Sequence, residues 1–295
     1  MRLLVFGYGY TSRALVQSLP DGWHVTATTR SPEKAAAMQA AANQAAAMQA
    51  EGITPRLFPG DNLTADLAQA THVLISAGPQ DGHDPVLADL RNGFAQARQL
   101  KWLGYLSTTG VYGDHNGDWV DENTALTPST ERGHARVTAE NEWMDLHRNH
   151  GLPLHIFRLA GIYGPGRGPF AKLRNGTARR IIKQGQVFSR IHVEDIAQVL
   201  LASMSNPAPG TTYNVCDDDP APPQDVIAYA ATLLGLPIPP DLPFEQATLS
   251  PMARSFYGES KRADNTRIKS DLGIRLRYPD YRSGLQQLHS AESHR

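Results

Sequence analysis

The sequence predicts an α/β protein, a doubly wound parallel sheet with a small C-terminal lobe. Three observations carry this. Short apolar runs alternate with helix-patterned segments through the first half, as in strands joined by crossover helices. A glycine turn follows at once on the first apolar run. The second half is richer in proline, and Pro220-Ala-Pro-Pro and Pro237-Ile-Pro-Pro-Asp-Leu-Pro mark loops of a smaller lobe. With 295 residues, 41% of them apolar, the chain can bury a sizeable core.

In chain order, strands are expected at 3–6, 25–29, 56–58, 73–76, 103–107 and 155–159, and helices at 11–19, 31–51, 63–70, 84–100 and 131–149. The string Ala-Ala-Ala-Met-Gln-Ala occurs at 35–40 and again at 45–50. These are strong helix formers, so they extend the helix after the second strand, and a short local duplication accounts for them without a function. Terminal helices are expected at 265–272 and 281–290. The division that follows is a dinucleotide-binding domain at 1–162, completed by 189–216, with a substrate lobe at 163–188 and 217–295.

A net charge of −1 leaves no footprint for nucleic acid or an anionic membrane. The one cysteine, Cys216, excludes an intrachain disulfide framework and reads as a small buried strand residue. The histidines are scattered without ligand spacing, so no metal is expected. The first apolar run is too short for a signal peptide, and nothing approaches the roughly 18 apolar residues of a membrane span. The expectation is a cytoplasmic protein with a small-molecule partner, for which a homodimer is a compatible assembly.

Gly7-Tyr-Gly9-Tyr-Thr-Ser12 lies between the first strand and the first helix. Gly7 permits the tight turn, and Gly9 lets backbone approach a pyrophosphate over the helix that Tyr10 and Thr11 open. Ser12 replaces a third glycine; it is small enough for close packing, with a hydroxyl suited to phosphate. About twenty residues on, where NAD-binding chains place an acid, stands Thr28-Thr29-Arg30-Ser31. That stretch lacks a carboxylate, and Arg30, next to Ser31, suits bidentate pairing with a 2′-phosphate. NADP(H) is therefore favoured over NAD(H).

Residues 106–140 read Leu-Ser-Thr-Thr-Gly-Val-Tyr-Gly, then Val-Asp-Glu, then Pro-Ser-Thr-Glu-Arg-Gly-His-Ala-Arg-Val-Thr-Ala-Glu. That order resembles the active-site region of the extended short-chain dehydrogenase/reductases, the epimerase/dehydratase branch that works on nucleotide sugars. The resemblance continues through Arg158-Leu-Ala-Gly-Ile-Tyr-Gly-Pro-Gly166, Arg190-Ile-His-Val-Glu-Asp195, Tyr213-Asn-Val-Cys-Asp217 and Ser260-Lys-Arg262, covering nearly the whole chain. It implies that Asp61 and Asn62 meet the adenine, that Ser76, Ala77 and Gly78 pass under the ribose, and that Thr108 is the catalytic hydroxyl. By the same resemblance Tyr112 and Arg262 belong to the substrate side.

One departure is chemically serious. The family carries Tyr-x-x-x-Lys, and counting back from Glu140 puts Arg136 in place of the Lys and Arg132 in place of the Tyr. A guanidinium does not give up its proton in proteins, so Arg132 cannot be the acid/base. Arg136 retains the capacity to hydrogen-bond the nicotinamide ribose; alternatively the two arginines, one helical turn apart, clamp a phosphate or carboxylate. The substitute proton donors are Tyr163, in the segment that resembles the family's nicotinamide shelter, and His192; His134 points to another helix face. Two functions follow. One is an NADP(H)-binding oxidoreductase, epimerase or dehydratase-like enzyme on a sugar or sugar-nucleotide with a relocated proton donor. The other is a catalytically impaired NADP(H)-binding module that regulates or binds a ligand.

Overall fold

The computed structural model describes residues 1–47 and 52–293. The end of the helix expected to 51, with the second half of the second alanine-rich repeat, lies outside the described residues. The chain divides into two compact units, the first made of Met1–Thr108, His134–Arg158 and Ile196–Tyr213, the second of Thr109–Gly133, Leu159–Asp195 and Asn214–Arg295.

A seven-stranded sheet organises the first. Its strands are β1 (Arg2–Phe6), β2 (His24–Thr29), β3 (Ile53–Leu57), β4 (His72–Ile75), β5 (Trp102–Thr108), β6 (Leu154–Leu159) and β7 (Thr211–Val215). They lie in the order β7-β6-β5-β4-β1-β2-β3, with β1 parallel to β2 and β4, β2 to β3, and β4 to β5. This is the Rossmann-type doubly wound architecture that the alternation predicts. The order reverses at β1, and in such sheets ligands bind beyond the strand ends at that reversal.

The helices that matter here are α1 (Tyr10–Gln17), α2 (Pro32–Ala47), α3 (Thr64–Gln69), α4 (Pro85–Gln96), α5 (Glu131–His150) and α6 (Val193–Ser205). β4 and β6 are buried along their whole length, the burial expected of parallel strands covered on both faces. Phe6, Phe94, Tyr105 and Trp143 belong to the core of this unit, and the Phe94 and Trp143 rings meet edge to face at 4.9 Å. α4 starts where Asp84 accepts from the Val86 and Leu87 amides at 2.9 and 3.0 Å, with Pro85 at the first helical position.

The second unit is built from two-stranded parallel ladders: Gly161–Tyr163 with Arg190–His192, Arg180–Ile182 with Asp241–Pro243, and Trp119–Val120 with Arg262–Ala263. Tyr163, Phe170, Leu173, Ala230, Tyr281 and Leu285 belong to its core. The two proline runs are not purely loops. Pro223 opens the helix Pro223–Leu233, where its missing N–H is no loss, and the other run ends in the short strand Asp241–Pro243. No described helix is long and apolar enough to cross a membrane.

Candidate cofactor site

The turn between β1 and α1 requires glycine at its first position. Gly7 has φ +90°, and a Cβ there would lie 3.0 Å from the Ala77 nitrogen. The turn is tied to β2, because the Gly7 amide donates to Thr28 Oγ1 at 2.9 Å and the Tyr8 amide to the Thr28 carbonyl at 2.8 Å. Gly9 is the N-cap of α1, and no side chain caps the first turn. A Cβ on Gly9 would meet nothing nearer than the Gly7 carbonyl at 4.0 Å, so there is room for a phosphate to approach the first-turn amides. Tyr10 and Thr11 supply two of those amides. Ser12 is fully buried and donates to the Gly7 carbonyl at 2.9 Å. Its hydroxyl proton is thus spent on the turn itself.

At the end of β2, Arg30 is exposed and makes no ion pair or side-chain hydrogen bond with the described residues. Ser31 is committed to the start of α2: its hydroxyl accepts from the Lys34 amide at 3.1 Å and donates to Glu33 at 2.6 Å. The Ser31 bond holds the Glu33 carboxyl below its usual range. Sequence reasoning missed this carboxylate. Lys34 reaches back so that its ammonium donates to the Tyr8 carbonyl and lies 5.8 Å from the Tyr8 ring centroid.

Asp61 accepts from the Leu57 amide at 2.8 Å, closing the turn after β3, and Asn62 accepts from Thr64 at 3.0 Å to start α3. Both residues are exposed. The Ser76 and Ala77 amides donate to the Phe6 carbonyl at 2.8 and 2.9 Å, which holds residues 76–78 beside the glycine turn.

Beyond that lies α5 packed on β5. Arg136 Nη1 donates to the Leu106 carbonyl at 2.6 Å and to the Tyr105 hydroxyl at 3.2 Å. Its Nη2 is 2.7 Å from where a Cβ on Gly78 would sit, so the glycine makes room for the guanidinium. One turn further along α5, Glu140 is almost fully buried. It accepts the Ser107 hydroxyl proton at 2.5 Å and is gripped by Arg158, whose Nε lies 3.2 Å from both carboxylate oxygens and whose Nη2 lies 2.7 Å from one. Thr108, half-buried, ends β5 directly after Ser107. Burial raises the Tyr105 phenol, against the opposing pull of Arg136, and likewise raises the Asp84 carboxyl.

The remaining residues singled out by sequence belong mostly to the interior of the second unit. Tyr112 is fully buried and donates to Asn214 Oδ1 at 2.7 Å. Tyr163 is buried in the core and donates to the Asp280 carbonyl at 3.3 Å; burial, then the charge of Asp217, raises its phenol. His192 is fully buried, 5.2 Å from the Tyr163 ring and 4.1 Å from that of Tyr278, and desolvation pushes it down to about 4. Arg262 donates to the Gly117 carbonyl. Arg132 and His134 are exposed. The structure thus brings Gly7, Gly9, Ala77, Gly78, Thr108 and Arg136 into the first unit, while Tyr112, Tyr163 and His192 are packed inside the second.

Comparison with known proteins bears on this geometry. The sequence profile of the NAD dependent epimerase/dehydratase family matches residues 92–216. Protein YeeZ of Escherichia coli K12 is 31% identical over 286 residues, spanning 95% of this chain and 97% of that one. The structure of a functionally unknown conserved protein from Silicibacter pomeroyi is similar at 56% identity over 99% of both chains, with a TM-score of 0.89. Two solved structures at 18% identity share the fold. One is UDP-glucuronic acid 4-epimerase from Bacillus cereus in complex with UDP-glucuronic acid and NAD, with a TM-score of 0.74 over 100% of this chain and 99% of that one. The other is a human epimerase family protein with NADPH, with a TM-score of 0.73 over 98% and 99%.

Proposed function

The chain belongs to the NAD-dependent epimerase/dehydratase family, and from that premise we propose that it is an NADP(H)-binding oxidoreductase of a sugar or sugar-nucleotide. The observation that carries the cofactor choice is Arg30, exposed at the end of β2 and unpaired among the described residues, in the place where an acid would meet a ribose 2′-hydroxyl. Its planar donors match a 2′-phosphate bidentately. Glu33 opposes that choice electrostatically, but its carboxylate is engaged by Ser31. The substrate class is supported by the UDP-glucuronic acid bound to the Bacillus epimerase, a fold analogy and no more.

The fit of the cofactor rests on the residues described above. The first-turn amides of α1 and the bare Gly9 suit the pyrophosphate, and residues 76–78 suit the ribose. When bound, the nicotinamide supplies or accepts hydride. Thr108 donates a hydrogen bond to the substrate oxygen whose charge changes, a contribution that is largest where charge develops. Arg136 has Nε and Nη2 available beyond the two bonds that Nη1 makes, and it orients the nicotinamide ribose. It holds a fixed positive charge and moves no proton. Tyr163 and His192 are buried in the interior of the second unit, which favours packing roles for them over proton exchange with a substrate.

That same burial favours a second reading, a catalytically impaired NADP(H)-binding module in which cofactor occupancy governs a ligand or partner. One pair of measurements separates them: NADPH oxidation over a panel of carbonyl substrates, and equilibrium titration with NADPH and NADH. Turnover of any sugar carbonyl establishes the enzyme. Saturable NADPH binding without turnover across the panel establishes the module. Binding of neither cofactor contradicts both.

A further inference from the structure

Gly78 is a glycine for a reason other than its backbone. Its φ lies outside the left-handed region, so the chain conformation there does not call for glycine. The three nearest neighbours of a Cβ at this position would all be atoms of Arg136, with Nη2 at 2.7 Å, Cζ at 3.5 Å and Nε at 4.0 Å. The other terminal nitrogen, Nη1, is anchored on the Leu106 carbonyl at 2.6 Å and the Tyr105 hydroxyl at 3.2 Å. Tyr105 is fully buried, its ring 6.2 Å from that of Trp143 and 5.8 Å from Arg136 Cζ. Both acceptors are neutral, and among the described residues no carboxylate forms an ion pair with Arg136. The Asp84 carboxylate is taken up by the Val86 and Leu87 amides and by Trp143 Nε1 at 3.1 Å. The guanidinium is therefore fixed through Nη1 and confined by Gly78 at Nη2. It keeps its charge, and among the described residues its Nε and Nη2 donors have no acceptor.

We propose that Gly78 and Tyr105 are positioning residues that fit a guanidinium, and not an ammonium, at position 136 and aim its Nε and Nη2 at the nicotinamide ribose. This rests on the reading of Arg136 given above and adds the two residues through which it acts. Tyr105 acts as a neutral acceptor: burial keeps the phenol protonated, so it orients the cation without cancelling its charge as a carboxylate would. Gly78 acts by the space it leaves. A methyl group there displaces only the far end of a long side chain, which costs the fold little. The guanidinium is a rigid plane, however, so displacing Nη2 also moves Nε and strains the bonds that Nη1 makes. A misplacement of about 1 Å is enough to lose an aligned contact. A lysine at 136 has no Nη2 and would not meet the methyl group.

The test is calorimetric titration of the full chain with NADP+ beside 2′,5′-ADP and with NAD+ beside 5′-ADP, with thermal melts in parallel. The second ligand of each pair lacks the nicotinamide ribose, and using both pairs makes the result independent of cofactor preference. Gly78→Ala is expected to weaken the dinucleotides roughly tenfold and the nucleoside phosphates less than about twofold, with an unchanged melt. Tyr105→Phe keeps the ring beside Trp143 and should weaken the dinucleotides about three- to tenfold with the same selectivity. In an Arg136→Lys background, adding Gly78→Ala should cost the dinucleotides less than about twofold. Equal weakening of dinucleotides and nucleoside phosphates by Gly78→Ala would assign the glycine to the turn alone and overturn the proposal. So would unchanged dinucleotide affinity in either single variant. An undiminished loss from Gly78→Ala in the lysine background would also overturn it, since the methyl group would then meet the cofactor itself. If Arg136→Gln still weakens the dinucleotides selectively in those cases, the ribose reading of Arg136 stands without this inference. Unchanged dinucleotide affinity in Arg136→Gln overturns both.

Discussion

Replacing Glu140 by glutamine should destabilise the first unit severely, although the two side chains are nearly isosteric. The Glu140 carboxylate and the Arg158 guanidinium are only 4% and 7% exposed, so water cannot compensate either charge. Three contacts from Arg158 and one from the Ser107 hydroxyl surround the carboxylate. A glutamine amide turns an NH2 toward guanidinium donors and leaves the Arg158 charge buried without a counter-ion. Breaking one partner of such a pair costs about 3–5 kcal/mol. At about 2–4 °C per kcal/mol for a unit of this size, the melting temperature should fall by about 6–20 °C, read by circular dichroism. Arg158→Met should be comparably harmful alone, and the double variant less harmful than the sum, since it removes both charges. A Glu140→Gln melt within about 2 °C of the unmodified protein, or strict additivity in the double variant, would refute the reasoning.

Other consequences are smaller but equally checkable. Thr108→Val keeps the shape and removes the hydroxyl, so any turnover should fall about 10²–10³-fold while NADPH affinity holds; unchanged turnover would make Thr108 purely structural. Tyr163→Phe removes one hydrogen bond at 3.3 Å inside a core, so stability should drop by about 1 kcal/mol with turnover unaffected, and a large loss of turnover at full stability would restore Tyr163 as proton donor. Asp217 is pushed up to about 8, chiefly by desolvation. Because this folded-state value lies above the unfolded value of about 3.9, its contribution is complete at low pH and is lost as pH rises through about 8. Urea midpoints should therefore decline between about pH 5 and about pH 9, and Asp217→Asn should flatten the decline.

Much of the first unit is legible in sequence because its physics is local. A strand that meets glycine and then a helix needs positive φ and close approach, and both are found at Gly7, while Gly9 leaves open space at the helix start. The register of Arg132 and Arg136 on α5 follows from helical spacing. The Glu140 network was less apparent, although Arg158 inside the apolar strand Leu154–Leu159 is a signal, since a charge in a buried strand demands a partner. What sequence could not supply was depth. Tyr112, Tyr163 and His192 occur in recognisable motifs, yet motif position does not say whether a ring faces a ligand or a core. Similarly, Pro223 reads as a loop in isolation and becomes a helix start only with the residues that follow it. Glu33 lies past the position where NAD-binding chains place their acid, and only the Ser31 bond ties its carboxylate to the end of β2.

The central proposal, a phosphate-selecting cofactor site in a family member with Arg132 and Arg136 where the resemblance puts Tyr and Lys, is tested most directly by parallel equilibrium titration with NADPH and NADH. Dihydronicotinamide fluorescence follows binding in the unmodified chain and in Arg30→Asp. Saturable binding with NADPH tighter by about ten- to a hundredfold, and a preference erased or reversed in Arg30→Asp, is the predicted result. Equal affinity for the two cofactors in the unmodified chain, or no saturable binding of either, would contradict it.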